Sequence, residues 1–218
     1  MAYPHWPLFD LVIRSPRLEL RLAHEEEFAS IVDLIDAGIH DPSTMPFTHP
    51  WTDDPLPKRQ RDNYQHWWGL RANWRPDNWV FDATVFHEGK VIGVQSIFSK
   101  NYGALRTVHT GSWIGQAYQG QGFGHEMRAA MLHFAFTGLG ANVAISGAFV
   151  DNAASLGVSR SLGYSENGRD IVLRRGQADE IVNLRLDRAD WEAHSHPECT
   201  IEGLEGCLDM FIGPEGED

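Results

Sequence analysis

The stretch Tyr118-Gln119-Gly120-Gln121-Gly122-Phe123-Gly124 joins a predicted strand to a predicted amphipathic helix. Glycines let a backbone approach a ligand closely, and the first N–H groups of a helix have no partner within it. Because the helix dipole adds partial positive charge there, such a turn favours phosphate. A glycine-rich turn without any ligand is the alternative interpretation. A Walker A loop is excluded because Gly-Lys-Ser/Thr is absent, and the glycine spacing differs from that of a dinucleotide fingerprint.

The elements on either side of this turn predict a mixed sheet. Alternating or continuous apolar runs predict strands over 18–22, 80–86, 91–99, 106–114, 143–149, from 164 onward and over 180–186. Helical spacing predicts helices over 24–37, 57–74, 122–139 and 152–162, and a last one that contains Trp191, with Asp187 as its N-cap. Antiparallel strands come first and a βαβ crossover follows, which indicates an α/β fold with a mixed sheet.

A proline-rich segment between His40 and Pro55 is predicted to be an extended loop. It contains Pro42, Pro46 and Pro50, and prolines at that density prevent regular structure. Long stiff loops in compact domains are commonly functional, so we expect this one to contribute to a site.

The composition bounds the class of protein. With 218 residues and 42% hydrophobic content, the chain can bury a full core, and extensive disorder is excluded. The net charge of −12 argues against a nucleic-acid partner, because phosphate contacts need clustered Lys and Arg. The charge is uneven, since residues 197–218 contain seven acidic residues and no Lys or Arg.

The sequence predicts a soluble cytoplasmic protein with no membrane partner and no metal site. The first residues lack the basic and apolar regions of a signal peptide, and no run approaches the ~20 apolar residues of a membrane span. Cys199 and Cys207 have His194 and His196 nearby, but their spacing matches no zinc template. We expect them to be the free thiols of a reducing compartment.

Two short motifs at the correct separation resemble the GNAT acyltransferase superfamily. Gln119-x-x-Gly122-x-Gly124 matches its Q/R-x-x-G-x-G/A signature, and Ser112-Trp113-Ile114-Gly115 is similar to the preceding strand end in RimJ/RimL-type members. Downstream, Asn152-Ala-Ala-Ser155 and Gly163-Tyr164 resemble the N-x-x-S helix and the G-F/Y of those members. The order of elements matches across residues 17–188.

The resemblance implies a GNAT-like fold, with a central twisted, largely antiparallel sheet, one parallel βαβ crossover and helices on both faces. We expect a single acyltransferase domain over 1–194, followed by an acidic tail over 195–218. The tail would pack on a partner subunit of a homo-oligomer or stay solvated. The loop motifs Asp41-Pro42, Met45-Pro46-Phe47 and Pro50-Trp51-Thr52 also resemble a branch that includes users of succinyl-CoA.

The resemblance further implies acyl-CoA, either acetyl-CoA or succinyl-CoA, as co-substrate. Its pyrophosphate would lie on backbone N–H groups of the glycine turn, at Gln119, Gly120, Gln121, Gly122, Phe123 and Gly124. Trp113 and Ile114 would pair with the pantetheine arm, and a backbone N–H there would polarise the thioester carbonyl. Asn152 and Ser155 would lie near a pantetheine amide or the thioester sulfur, although Asn152 also fits a simple helix N-cap.

In this family the amine attacks the thioester directly, so the enzyme supplies a base, positioning and a proton donor for the thiolate. The tyrosine that many members use as donor is replaced here by Ser159. Ser155 is the substitute candidate, with a purely cofactor-binding role as the alternative. His109 is the candidate base, although a surface or core histidine fits equally, and His40 and Asp41 are reserve candidates.

Other residues bear on the acyl group and on the acceptor. Arg174 stands where some RimL-like enzymes carry a glutamate, and it would suit a dicarboxylic acyl group. A solvated Arg174-Arg175 pair at a hairpin is the alternative. Asp41 and some of the tryptophans would line the acceptor groove, namely Trp51, Trp67, Trp68 and Trp74, of which about half are expected in the core.

These inferences predict an N-acyltransferase that moves an acetyl or succinyl group from CoA to a primary amine. The acceptor would be a small molecule, a protein N-terminus or a lysine side chain. The alternative is a catalytically weak GNAT domain that binds or senses acyl-CoA, because the tyrosine and the glutamate are both replaced.

Overall fold

The computed structural model describes residues 3–213, and one nine-stranded sheet runs through this part of the chain. Its strands are β1 (Val12–Arg14), β2 (Leu18–Arg21), β3 (Asn78–His87), β4 (Lys90–Lys100), β5 (Thr107–Ile114), β6 (Val143–Phe149), β7 (Ser165–Arg174), β8 (Gln177–Asp187) and β9 (Thr200–Glu202). Their spatial order is β7-β8-β6-β5-β4-β3-β2-β1-β9.

Seven α-helices accompany the sheet in the described residues. They are α1 (Phe28–Ala37), α2 (Lys58–Ala72), α3 (Tyr102–Leu105), α4 (Phe123–His133), α5 (Ala153–Ser161), α6 (Arg188–Glu192) and α7 (Asp209–Ile212). The helix predicted over 122–139 is α4 followed by a π-helical turn, Phe134–Gly138. No helix in this part of the chain is both apolar enough and long enough to cross a membrane.

The mixed α/β sheet with one parallel crossover is confirmed. All neighbouring strands are antiparallel except β5 and β6, which are parallel and joined by α4. The parallel ladder is short, because it pairs only Thr107 to His109 with Val143 to Ile145. Beyond His109 the two strands separate, and a wedge opens between the ends of β5 and β6.

The sheet has a core on each face. The larger core packs α4 against the sheet and contains Met127, Met131 and Phe134, the apolar stripe that the sequence predicts for this helix. The smaller core packs α1 and α2 on the other face around Phe28, Ile31 and Trp67. Trp113 packs on the smaller core and Ile114 on the larger, so the end of β5 is held from both sides.

The interpretation of residues 195–218 as a tail outside the domain is wrong for the described residues. Strand β9 pairs with β1 at the sheet edge, and the side chains of Cys207 and Phe211 are fully buried in the larger core. The indole N–H of Trp79 donates to the Phe211 carbonyl at 2.9 Å. The acidic Glu215, Glu217 and Asp218 lie outside the described residues.

Asp187 occupies the predicted N-cap position of α6 with an extended backbone, but its side chain does not cap the helix. Its carboxylate instead accepts two hydrogen bonds from Arg185, at 2.6 and 3.0 Å. The bidentate guanidinium outcompetes a backbone N–H because both groups are charged.

Candidate active site

The glycine turn presents unpaired N–H groups at the start of α4. Gly120 and Gly122 have φ of 73° and 82°, a left-handed conformation that side chains with a Cβ rarely adopt. Among the described contacts, the N–H groups of Gly120, Gln121 and Gly122 have no hydrogen-bond acceptor. With the first N–H groups of α4 at Phe123 and Gly124, they form a run of consecutive unpaired donors, which suits an anion.

Gln119 and Gln121 hold the turn in this shape. The side-chain amide of Gln119 donates to the carbonyls of Ile39 and Ile114 at 2.9 and 3.0 Å, and that of Gln121 donates to Ala117 at 2.9 Å. The backbone N–H of Gln119 already bonds to Gln116 at 3.2 Å. It is therefore not available to a phosphate, which corrects the expectation that Gln119 supplies one of the donors.

Arg17 is a cation beside the turn that the sequence analysis missed. Its Nε lies 2.6 Å from a carboxylate oxygen of Glu126, and its Nη1 donates to the Gln121 carbonyl at 3.2 Å. A Cβ on Gly122 would lie 3.4 Å from Arg17 Nη2, so the guanidinium borders the donor set. The sequence signal for Arg17 was indirect: Glu126 lies in the first turn of a mostly apolar helix, where a buried carboxylate needs a cationic partner.

Glu126 anchors this cation while ionised. Burial alone would raise the pKa of Glu126, but hydrogen bonds from Ser15 and Arg17 outweigh burial and keep that pKa below its ordinary value. The Ser15 hydroxyl donates to Glu126 at 2.8 Å, and the Arg17 backbone N–H donates at 2.9 Å. The carboxylate thus fixes the start of β2 against α4.

The wedge between β5 and β6 leaves a free strand edge next to the turn. Trp113 and Ile114 lie at this end of β5 and are half-buried, and in the described structure no strand pairs with that edge. An extended chain can bind such an edge by backbone hydrogen bonds. The side chains of Trp113 and Ile114 point to opposite faces of the sheet.

The start of α5 borders the same wedge. Asn152 caps the helix, since its Oδ1 accepts the Ser155 N–H at 3.1 Å. The N-cap interpretation is therefore confirmed, and the Asn152 amide nitrogen is a donor without a partner among the described contacts. Ser155 is half-buried, whereas Ser159 is fully buried and donates to the Ser155 carbonyl at 3.0 Å.

Arg128 of α4 lies buried behind the wedge, and the sequence analysis did not single it out. Its guanidinium donates to three hydroxyls, Ser112 of β5 at 2.9 Å, Ser146 of β6 at 3.4 Å and Ser159 of α5 at 3.1 Å. The residue is only 4% exposed. The sequence signal that could have identified Arg128 is a single arginine among the buried apolar residues of α4.

His109 projects from the open face of β5. Its ring stacks on Phe98 of the neighbouring strand, with centroids 5.3 Å apart. Partial burial lowers the pKa of His109. Trp113 lies on the same face four positions further along the strand, which is a distance of about 13 Å.

The hairpin between β7 and β8 clasps the proline-rich loop. Arg174 Nε donates to the Met45 carbonyl at 2.7 Å, and Arg175 makes two hydrogen bonds to Asp53, at 2.7 and 2.8 Å. Arg174 also contacts the carboxylates of Asp151 and Asp179, both at 2.9 Å. Its side chain is 13% exposed, so the interpretation of Arg174 as a solvated side chain is wrong.

The clasp places the loop over the end of β5. Trp51 lies with its ring centroid 6.5 Å from that of Trp113 and 5.3 Å from that of Phe47. Asp41 is exposed and accepts hydrogen bonds from the N–H and hydroxyl of Ser43, which lower its pKa. Asp41 therefore stays ionised and stiffens the loop.

The remaining tryptophans divide between core and surface. Trp67 is 7% exposed and packs on Phe28 with ring centroids 4.6 Å apart, which places it among the tryptophans expected in the core. Trp74 is also buried, and its indole N–H donates to the Met210 carbonyl at 2.9 Å. Trp68 is 47% exposed on α2.

Neither cysteine has the environment of a reactive thiol. Burial raises the pKa of Cys199 to about 11 and that of Cys207 to about 12, so both stay protonated at neutral pH. Within residues 3–213, no cluster of three His, Cys, Asp or Glu side chains is placed to hold a metal ion.

Comparison with known proteins gives one family and many structures of the same fold. The family described as acetyltransferase (GNAT) domain matches residues 17–165. Mycobacterium smegmatis RimJ in complex with CoA-disulfide superposes with a TM-score of 0.71 at 20% identity, covering 93% of this chain and 95% of that one.

Two further structures are similar over most of their length. RimL, a ribosomal alpha-N-protein acetyltransferase in complex with coenzyme A, has a TM-score of 0.67 at 20% identity, covering 81% of this chain and 97% of its own. A spermidine N-acetyltransferase chimera from Vibrio cholerae and hSSAT has a TM-score of 0.64 at 15% identity, covering 82% and 99%. At sequence identities of 15–20%, the structural similarity shows that these proteins share the fold of this chain.

Proposed function

The chain belongs to the GNAT acetyltransferase family, and from that premise we propose that it transfers an acyl group from acyl-CoA to a primary amine. The observation that carries the proposal is the juxtaposition of two features. Unpaired N–H groups at Gly120–Gly122 suit a pyrophosphate, and the unpaired edge of β5 beside them suits an extended pantetheine arm.

Acyl-CoA supplies the activated thioester, and the residues of this chain bind and orient it. Gly120, Gln121, Gly122, Phe123 and Gly124 would hold the pyrophosphate, with Arg17 as a neighbouring cation. Trp113 and Ile114 would bind the pantetheine arm along β5. The free amide nitrogen of Asn152 and the Ser155 hydroxyl would border the thioester end.

His109 is the proposed general base. Because partial burial lowers its pKa, the ring is neutral at physiological pH and can accept the proton that the amine nitrogen loses as it attacks the thioester. Its distance from Trp113 along β5 requires the acceptor to extend over the open face, or a water to relay the proton. Ser155 is the proposed donor for the departing sulfur, or a cofactor-binding residue only.

Acetyl-CoA is the donor that the local charges favour. Arg174 was the candidate receptor for a succinyl carboxylate, but Asp151 and Asp179 already surround it. One cation between two anions leaves a net negative site, which disfavours a third carboxylate. The proposal of a succinyl donor would therefore require Arg174 to release one of its partners.

The acceptor is proposed to be a primary amine that enters between the clasped loop and β5, near Trp51 and Asp41. The RimL and spermidine enzymes named above act on amines of very different size, so the fold leaves a small molecule, a protein N-terminus and a lysine as candidates. The cytoplasm is the proposed location, because free thiols persist in a reducing compartment.

Release of free CoA in the presence of an amine panel tests this proposal. Spermidine, an N-terminal peptide, a lysine peptide and small primary amines would each be offered with acetyl-CoA and with succinyl-CoA. Turnover with at least one amine and a preference for acetyl-CoA are the expected results. Tight binding of CoA without turnover on any amine would instead identify a domain that binds or senses acyl-CoA.

A further inference from the structure

Arg128 is a buried cation without an anionic partner. In the part of the chain that the structure describes, no carboxylate lies within ion-pair distance of its guanidinium, and its Nε has no hydrogen-bond partner. The nearest acid on the same helix, Glu126, is bound by Arg17 and Ser15. Tyr164 is the other titratable group close by, and burial raises the pKa of its phenol, so it is neutral.

A guanidinium in such a place is costly for folding. An arginine keeps its charge in proteins, and an unpaired buried charge is destabilising relative to an apolar side chain of similar volume. The neighbours along α4, such as Met127 and Met131, show that an apolar residue fits this face of the helix. Packing alone therefore does not explain an arginine at position 128.

The three hydroxyls around Arg128 are not equivalent. The Ser146 hydroxyl donates to the Thr110 carbonyl at 3.4 Å, and the Ser159 hydroxyl donates to the Ser155 carbonyl. The Ser112 oxygen accepts from Arg128 at 2.9 Å, but no acceptor for its own O–H appears among the described contacts. Ser112 is also half-buried, at the point where β5 and β6 separate. Its O–H can donate to a group in the wedge.

We propose that Arg128 and Ser112 together stabilise negative charge on the sulfur of CoA in the wedge between β5 and β6. The proposal rests on the proposed function, since it assumes that the pantetheine arm lies along β5. Ser112 would donate to the sulfur, and Arg128, bound behind Ser112, would supply the positive charge. This pair performs the task for which the residue at position 159 is unsuited, because Ser159 is fully buried and its O–H is already bonded.

The lone pair of the neutral amine nitrogen forms a bond to the thioester carbon, and the carbon–sulfur bond breaks with its electron pair left on sulfur. The nitrogen gives one proton to a base, proposed as His109, and the CoA thiolate takes a proton from solvent, directly or through the Ser155 hydroxyl, when it leaves. Arg128 and Ser112 keep their own protons throughout, and lower the energy of the thiolate.

The thiol pKa of bound CoA tests this proposal without any turnover. It would be titrated by the far-ultraviolet absorbance of the thiolate in complexes with the unchanged chain, Arg128→Met, Arg128→Lys and Ser112→Ala, with desulfo-CoA complexes as the baseline. An opposite charge a few ångströms away lowers a pKa by about one unit or more. We therefore expect the thiol pKa to rise by about one unit in Arg128→Met, and to recover partly in Arg128→Lys.

Thermal unfolding separates this role from a structural one. If the role of Arg128 is to stabilise negative charge on the CoA sulfur, the Arg128→Met variant should unfold at a higher temperature than the unchanged chain. Its bound CoA thiol should at the same time be less acidic. A lower unfolding temperature with an unchanged thiol pKa would overturn the proposal. Arg128 would then have a structural role only, in which it holds three serines together by hydrogen bonds.

Two other outcomes would also overturn it. Loss of succinyl-CoA use alone in Arg128→Met, with the CoA thiol unchanged, would assign the cation to an acyl carboxylate. Failure of the unchanged chain to bind CoA would remove the proposed function and this proposal together. CoA binding and turnover with equal thiol pKa values in all variants would leave the proposed function standing and contradict only this inference.

Discussion

At the scale of single residues, the environment of His109 determines the pH range of the proposed reaction. Partial burial against Phe98 disfavours the imidazolium and lowers the pKa of the ring below its ordinary value. The neutral form that accepts a proton is therefore present from a lower pH upward. We expect the midpoint of the acidic limb of the pH–rate profile to lie at a lower pH than the ordinary pKa of histidine.

His109→Ala should remove that limb. General base catalysis contributes about a hundredfold or more, so kcat should fall by about that factor while the affinity for CoA is unchanged. The matched control is His5→Ala, because His5 is exposed and has no contact with the turn or with β5 among the described contacts. An acidic limb that survives in His109→Ala would assign the base to another group.

Arg17 is the second single residue that the proposed CoA site depends on. Its guanidinium borders the unpaired N–H groups of the turn, and a charge-assisted hydrogen bond to a phosphate contributes about 1.5–3 kcal/mol. Arg17→Ala should therefore raise the Kd for CoA about tenfold, measured by calorimetry, and Arg17→Lys should raise it less.

The control for Arg17 is Arg14→Ala. Arg14 is also a half-exposed arginine and lies three positions before Arg17. Its partners, however, are Glu19 and Glu202 and not the glycine turn. Its removal should leave the Kd for CoA unchanged. Equal Kd values for Arg17→Ala and the unchanged chain would show that backbone donors alone hold the phosphates.

The sequence could predict the glycine turn but not the side chains that surround it. The turn is local, since its conformation follows from Gly120, Gly122 and the start of α4. Arg17 and Arg128 reach the site from positions whose neighbours are set by tertiary packing, so no short motif identifies them. Asn152 was recognised as a helix cap because capping is also local.

At the scale of elements, the β7–β8 hairpin and the proline-rich loop act as one unit. Arg174 joins Met45 of the loop to Asp151 and Asp179, and its guanidinium stacks 4.2 Å above the centre of the Phe149 ring. These contacts hold Trp51 over the end of β5. The clasp, rather than recognition of an acyl carboxylate, is the role that the geometry gives Arg174.

Arg174→Ala should therefore impair acetyl-CoA and succinyl-CoA use by the same factor. Misplacing a positioning loop costs about tenfold to a hundredfold in kcat/KM, and proteolysis within 40–55 should become faster. Arg169→Ala is the control, because Arg169 is an exposed arginine of the same strand whose partners, Glu166 and Glu180, lie within the hairpin and not on the loop. A loss much larger for succinyl-CoA would restore Arg174 as the receptor of a carboxylate.

Long elements were predictable and the three-residue strands were not. Strands β3, β4 and β6 and helices α1, α2 and α5 begin and end within a few residues of the positions indicated by hydrophobic periodicity. Strands β1 and β9 have three residues each, too few for alternation to be visible. Strand β7 also escaped full prediction, because as an edge strand it is mostly exposed and polar.

At the scale of the whole molecule, the acidic C-terminal segment belongs to the folded body. Glu202 of β9 lies 2.6 Å from Arg14 of β1, so part of the acidic charge is neutralised at the sheet edge. Composition alone suggested a separate tail, because the acidic residues dominate the charge of this segment. The apolar Leu204, Cys207 and Phe211 are scattered among them and form no visible pattern. The body is therefore more acidic than residues 1–194 indicate, which favours a cationic acceptor at low ionic strength.

The contribution of this segment to the global fold can be measured through Phe211. Its ring is fully buried, with ring centroids 5.0 Å from Trp79, 5.2 Å from Trp74 and 5.6 Å from Phe134. Phe211→Ala would leave a cavity where strands and α7 meet, so the free energy of unfolding in urea should fall by about 3–5 kcal/mol. Leu105→Ala is the control, because Leu105 is 60% exposed and its removal should change stability by less than about 0.5 kcal/mol. A Phe211→Ala change as small as that of the control would mean that the segment only lies on the surface, and that residues 195–213 are a tail after all.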